Sequence, residues 1–100
     1  MSEQILTEVS AVVAEDREDD LLTGFTALLD QPVPDGLLRT ELLRGADGAW
    51  RIQSLWRDRA ALDAMRASAE PPAAPALFRS VGADPTLGIL VVAAGRRFVD

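Results

Sequence analysis

Apolar and polar side chains alternate most regularly over residues 49–57, where Trp50, Ile52, Ser54 and Trp56 fall on one side and Arg51, Gln53, Leu55 and Arg57 on the other. A period of two is that of a pleated strand with one face in a core. A second run over residues 37–44 precedes it, and Gly45, Asp47 and Gly48 between the two suit a hairpin turn, because glycine and aspartate tolerate the backbone angles such turns need. Asp58 follows at once and is placed to cap a helix whose Ala61, Leu62 and Met65 recur at helical spacing, stopping near Ser68. One large aromatic, Trp56, therefore stands where a strand hands over to a helix, a common place for a pocket.

The flanking segments complete the pattern. Over residues 5–13 the alternation is looser: Ile5, Val9, Ala11 and Val13 point one way, Leu6 and Val12 the other, with Thr7, Glu8 and Ser10 between, which predicts a well-buried first strand. An acidic run, Glu15, Asp16, Glu18, Asp19 and Asp20, leads into a helical stripe of Leu21, Leu22, Phe25, Leu28 and Leu29. Asp16 is the predicted N-cap, and the other acids suit the positive end of the helix dipole. Pro32, Pro34 and Gly36 end that helix. Residues 70–75, EPPAAP, read as a short stiff linker, residues 76–81 as a helical turn carrying Leu77, Phe78 and Val81, and residues 87–94, LGILVVAA, as a last, almost wholly apolar strand. The order β-α-β-β-α-β predicts one α+β, ferredoxin-like domain over residues 1–100, with its core at about 5–94 and a tail at 95–100.

In that arrangement two helices cover one face of a four-stranded antiparallel sheet. The other face is expected to be apolar, because the first and last strands carry apolar residues on both sides. Leaving such side chains in water costs ~1.5–3 kcal/mol each, so a homodimer packed sheet to sheet is expected. The alternative is a last strand central in the sheet, its second face covered by the tail.

Composition narrows the functions open to this fold. The chain has neither cysteine nor histidine, which excludes disulfides, thiolate nucleophiles, histidine-bound zinc or haem, and imidazole as a base. No calcium-type loop appears, so no metal is expected. A net charge of −6, from sixteen acids against ten arginines, opposes nucleic acid as a partner. No apolar run approaches the ~18 residues of a membrane span, and the Met-Ser-Glu-Gln start lacks the features of a signal peptide, so the cytoplasm is the expected location. Phosphate-binding loops, a nucleophile elbow and dinucleotide fingerprints are absent, and no cofactor is expected. A chain of 100 residues buries only ~60–65% of its unfolded surface, so a large internal cavity is not expected either.

What remains is a set of apolar residues around Trp56. Phe25, Leu62, Met65 and Phe78 either complete an ordinary core with it or wall a flat slot for a planar ring, held by stacking and sulfur contact. Arg79 beside Phe78 would suit a phenolate or quinone oxygen, or is simply a surface arginine. Thr7 and Ser54 are strand hydroxyls that either meet a ligand or bond their own backbone.

The order of elements and four local patterns, DREDDLLTGFTALL, PDGLLRTELLR, SLWRDRAALDAM and LFRSVGADPTLGILVV, resemble the antibiotic biosynthesis monooxygenase family. The resemblance spans about residues 5–94. It implies a ferredoxin-like fold, a dimeric α+β barrel and a ligand cleft between sheet and helices in each subunit. Members of that family oxidise aromatic polyketides or quinols with molecular oxygen and no cofactor, and others degrade haem. By resemblance Trp56 matches the tryptophan ending the third strand, and Arg79 an arginine before the last. Where the polyketide-oxidising members have asparagine and tyrosine around that tryptophan, this chain has Ile52 and Leu62. Met65 and Arg66 stand where the haem-degrading members carry a histidine ligand, which excludes that route. The resemblance thus implies a cofactor-independent monooxygenase in which Trp56 and Arg79 are the catalytic candidates and Thr7, Phe25, Ile52, Ser54, Leu62, Met65 and Phe78 bind the substrate. The alternative is a non-catalytic ligand-binding or regulatory dimer; an isomerase or cyclase would need a base the sequence does not identify.

Overall fold

The computed structural model describes residues 3–68, 70–96 and 98. The tail expected beyond Gly95 therefore lies partly outside the described residues. The elements are β1 (Ile5–Val12), a 3-10 turn (Glu15–Arg17), α1 (Glu18–Leu29), β2 (Leu37–Arg44), β3 (Ala49–Trp56), α2 (Arg59–Arg66), α3 (Ala73–Ser80) and β4 (Thr86–Val91). The strands form one four-stranded antiparallel sheet in the order β2-β3-β1-β4. This is the expected α+β, ferredoxin-like architecture.

The central pair sets the faces. β1 and β3 place Ile5 opposite Trp56, Thr7 opposite Ser54, Val9 opposite Ile52 and Ala11 opposite Trp50, so the alternating residues of both strands share the side covered by helices. The hairpin between β2 and β3 turns through Asp47 at φ 58° and Gly48 at φ 78°, the mirror-image geometry that matches strand twist. Asp58 caps α2 as expected: its Oδ1 accepts from the Ala61 N–H at 2.8 Å. Gly36 adopts φ 84° just before β2, where a β-carbon would collide with the Ala61 side chain, and its carbonyl accepts from the Arg57 N–H at 2.8 Å. Those two contacts tie the start of β2 to the β3–α2 junction.

Three expectations about the elements are corrected. Asp16 is not the N-cap of α1: residues Glu15–Arg17 form a 3-10 turn, Arg17 takes the cap position, and no side chain caps it. The acids serve elsewhere, with Asp20 paired to Arg17 at 3.0 Å and Glu18 accepting from Trp50 Nε1 at 2.8 Å. Residues 70–75 are not wholly a linker, because α3 begins at Ala73 with Pro72 at its N-cap. Pro75 is the third residue of that helix, where its missing N–H leaves no hydrogen bond unmade. The last strand is shorter than expected and lies at the sheet edge, with Leu87, Leu90 and Val91 45%, 50% and 51% exposed, so the central-strand alternative does not hold. Val92 still donates to the Gln4 carbonyl, just outside the start of β1 at Ile5.

Two clusters make the core. Under α1 and α3, Leu21 and Phe78 are fully buried with Val9, Trp50, Ile52 and Leu77; under α2, Ile5 and Trp56 pack with Ala61 and Leu62. The uncovered face is not the uniformly apolar surface expected. Leu6, Leu55 and Leu90 surround a polar centre in which Glu8 accepts from Arg51 at 2.7 Å and from Gln53 at 3.1 Å. The Gln53 amide and the Arg51 guanidinium hold the Glu8 carboxyl below its usual range.

Two substitutions separate cap from backbone strain. Asp58→Ala should lower unfolding stability in urea by ~1 kcal/mol through the lost cap. Gly36→Ala should cost more, because it adds both positive-φ strain and the Ala61 collision. Because the native pKa of Glu8 is depressed, its contribution is present above the ordinary value of 4.5 and is lost as the pH falls through the native value. Denaturation midpoints of Glu8→Gln should therefore fall less steeply than wild type over that acid range.

Candidate functional site

Between the two core clusters the covered face of the sheet opens into a cleft of about 1020 Å³. That volume lies at the upper end of the ~300–1,000 Å³ range of small-molecule sites. Its floor is Thr7 and Val9 of β1, Ile52 and Trp56 of β3, Thr40 of β2, and Leu87 and Ile89 of β4. Phe25, Leu28 and Leu29 of α1 form one wall and Leu62 and Met65 of α2 the other. Two proline-bearing segments, at 31–34 and 70–75, rim the opening. Proline fixes φ, so these rims are stiff without any regular secondary structure between Pro32 and Pro34. The cleft is an open groove, which reconciles its volume with a chain too short for a large enclosed cavity.

The floor is fixed by a hydroxyl relay. Trp56 Nε1–H donates to Thr7 Oγ1 at 3.1 Å, and the Thr7 hydroxyl donates in turn to the Ser54 carbonyl at 3.5 Å. Ser54 Oγ and Thr40 Oγ1 lie 3.0 Å apart in a second hydrogen bond. A buried indole N–H left without a partner would cost ~1–3 kcal/mol; here it has one, and the ring plane is held. Among the described residues no buried polar side-chain atom lacks a partner. Thr7 spends its hydroxyl on the tryptophan and the Ser54 carbonyl, so the polar handle left on the floor is the half-buried Thr40, bonded once, to Ser54.

Of the residues singled out in the sequence, the structure brings Thr7, Phe25, Ile52, Trp56, Leu62 and Met65 together around the cleft. Ser54 is buried behind the floor, holding Thr40, and does not line the opening. Phe78 is fully buried in the α1–α3 cluster. Arg79, one residue on, is exposed and is not part of the cleft, since a step of one residue turns the helix by about 100°. The charged residues that do line it are Arg39, Arg66 and Glu70. Sequence reasoning missed Thr40, whose signal is its strand register opposite Ser54, and the two proline segments, which read as punctuation rather than as walls. No group of three or more metal-ligating side chains occurs among the described residues.

The cleft has no histidine, and its one carboxylate, Glu70, lies in the rim segment 70–75 and is exposed. It can therefore bury, orient and desolvate a planar molecule, but the floor offers no side chain of ordinary acid–base strength to take a proton.

No protein-family profile matches the chain, and no curated protein sequence matches it significantly. Solved structures do. NE2512 of Nitrosomonas europaea, a protein of unknown function, superimposes with a TM-score of 0.73 at 14% identity, covering 98% of this chain and 97% of that one. A "putative antibiotic biosynthesis monooxygenase" of Caulobacter crescentus CB15 gives 0.70 at 18% identity, with 89% of each chain covered. SnoaB of Streptomyces nogalater, a cofactor-independent oxygenase, gives 0.63 at 16% identity and 98% of each chain. Over nearly its whole length, the chain has the ferredoxin-like α+β fold of these solved structures.

Proposed function

We propose that the protein is a cofactor-independent monooxygenase acting on a planar aromatic phenol or quinol bound in the cleft. The observation that carries this reading is Trp56, 4% exposed and held by Thr7 in the floor of an apolar groove of about 1020 Å³. The chemistry needs no metal: an electron-rich phenolate gives an electron to molecular oxygen, the two radicals combine, and one oxygen atom stays in the product while the other leaves as water. The protein supplies orientation, desolvation and charge stabilisation. Trp56 is the residue we assign to ring stacking, with Phe25 and Met65 completing the slot.

The reading extends to assembly and place. Leu6, Leu55 and Leu90 on the uncovered face, with the exposed edge of β4, support a homodimer that packs through this face. Glu8 and Arg51 in its centre would then be shielded and exchange contacts across the interface. No helix among the described residues is long and apolar enough to cross a membrane, and we assign the protein to the cytoplasm. One observation favours a second reading, a ligand-binding or regulatory dimer without catalysis: Ile52 and Leu62 present only hydrocarbon to the cleft beside Trp56.

Oxygen uptake with a panel of anthrone-type phenols and quinols separates the two. Wild type should consume oxygen in proportion to product, and Trp56→Phe should lower the rate by ~10-fold or more through misplacement of the ring. Thr7→Val, which frees the indole, should lower it too while costing ~1–3 kcal/mol of stability. Saturable binding with no uptake from any substrate would leave the binding reading alone. Sedimentation should give twice the 10.7 kDa chain mass; a monomer at micromolar concentration would remove the dimer.

A further inference from the structure

The proposed substrate reading leaves the charge at the cleft mouth unexplained. Three charged residues line the cleft. Arg39 is engaged: its Nε lies 3.1 Å from Glu41 Oε1 on the same strand, and this pair points to the uncovered face of the sheet. Arg66 differs. It ends α2, is exposed, and makes no ion pair or side-chain hydrogen bond with any described residue, while the Met65 beside it and Leu62 one turn back form the apolar wall. Asp63, the nearest acid on its own helix, is taken by Arg59 at 3.0 Å. An unpaired guanidinium above an apolar slot is a ready recogniser of a planar anion, since its fork matches a carboxylate or phenolate and it keeps its charge at all working pH.

We propose that Arg66, rather than Arg79, sets the specificity of the cleft, selecting aromatic ligands with an anionic group at the end that faces the mouth. The ring then lies along Trp56 and Phe25, and the anion reaches Arg66 at the rim. This rests on the cleft being the ligand site, but not on its being an oxygenase. Thr40 provides the matching neutral contact, a hydroxyl on the floor for a carbonyl or phenol oxygen at the buried end. Glu70, also on the rim, is the one opposing charge and weakens rather than abolishes the preference.

The test is equilibrium binding, followed by tryptophan fluorescence, of anthraquinone-2-carboxylate against its neutral carboxamide. Wild type should hold the carboxylate about fivefold to tenfold more tightly, a charge-assisted bond discounted for exposure, and the difference should shrink with added salt. Arg66→Gln should bring the two affinities together, Glu70→Gln should widen the gap, and Arg79→Gln, outside the cleft, should leave it unchanged. Equal affinities in wild type, or a preference that survives Arg66→Gln, would overturn the assignment. So would failure of both ligands to bind, which would also remove the cleft as the site. Preserved discrimination without oxygen uptake would sink the oxygenase and leave Arg66 standing; uptake with neutral and anionic substrates alike would do the reverse.

Discussion

The register between β1 and β3 is the constraint on which the rest of this molecule depends. Side chains alternate with a period of two, so a slip of β1 by one residue against β3 would send Thr7 and Val9 to the uncovered face and bring Glu8 under the helices. The observed pairing sets Thr7 opposite Ser54 and thereby diagonal to Trp56, within reach of the indole N–H. The same pairing leaves Glu8 opposite Gln53, where amide and guanidinium satisfy its charge on the solvent side. One register thus satisfies both faces, and the alternative would bury the Glu8 carboxylate away from Arg51 and Gln53 at large cost.

The cleft follows from what the helices can cover. α1 and α3 meet over one end of the sheet, where Leu21 and Phe78 are wholly buried, and α2 covers the other end with two buried residues, Ala61 and Leu62. The short helices leave a strip of sheet between them, floored by Thr7, Thr40 and Trp56. Proline segments rim the groove and stiffen its margins. Its chemistry is correspondingly simple. It offers apolar walls, the Thr40 hydroxyl and charge only at the rim, a setting for binding a flat molecule.

Much of this was legible in the residues. The strict alternation from Trp50 to Trp56, the Asp47-Gly48 turn and the Asp58 cap each carry a local mechanism, and the structure realises all three. The readings that the structure places differently turn on distant partners or on helix geometry. Asp16 looks like a cap by spacing, yet the first turn tightens to 3-10 geometry and Glu18 turns instead to Trp50, thirty-two residues away. The EPPAAP stretch reads as a breaker because proline usually ends helices, whereas here its prolines sit at and just inside a helix start. Arg79 was placed at the site by its neighbour Phe78, but helix phase sends the two side chains apart. Arg66 carries no local signal and Thr40 only its register opposite Ser54; their position depends on how α2 and β2 dock against the central strands.

The central claim is that a planar ligand lies on Trp56, in the cleft, and nowhere else on the sheet. The chain has two tryptophans, and the second, Trp50, is sealed in the other core cluster with its N–H on Glu18, so it serves as an internal control. Fluorine NMR of protein labelled with 5-fluorotryptophan gives one resonance for each. Titration with an anthraquinone should move the Trp56 resonance saturably and leave Trp50 in place. A shift confined to Trp50, or none at Trp56 under conditions where the ligand is bound, would contradict the account.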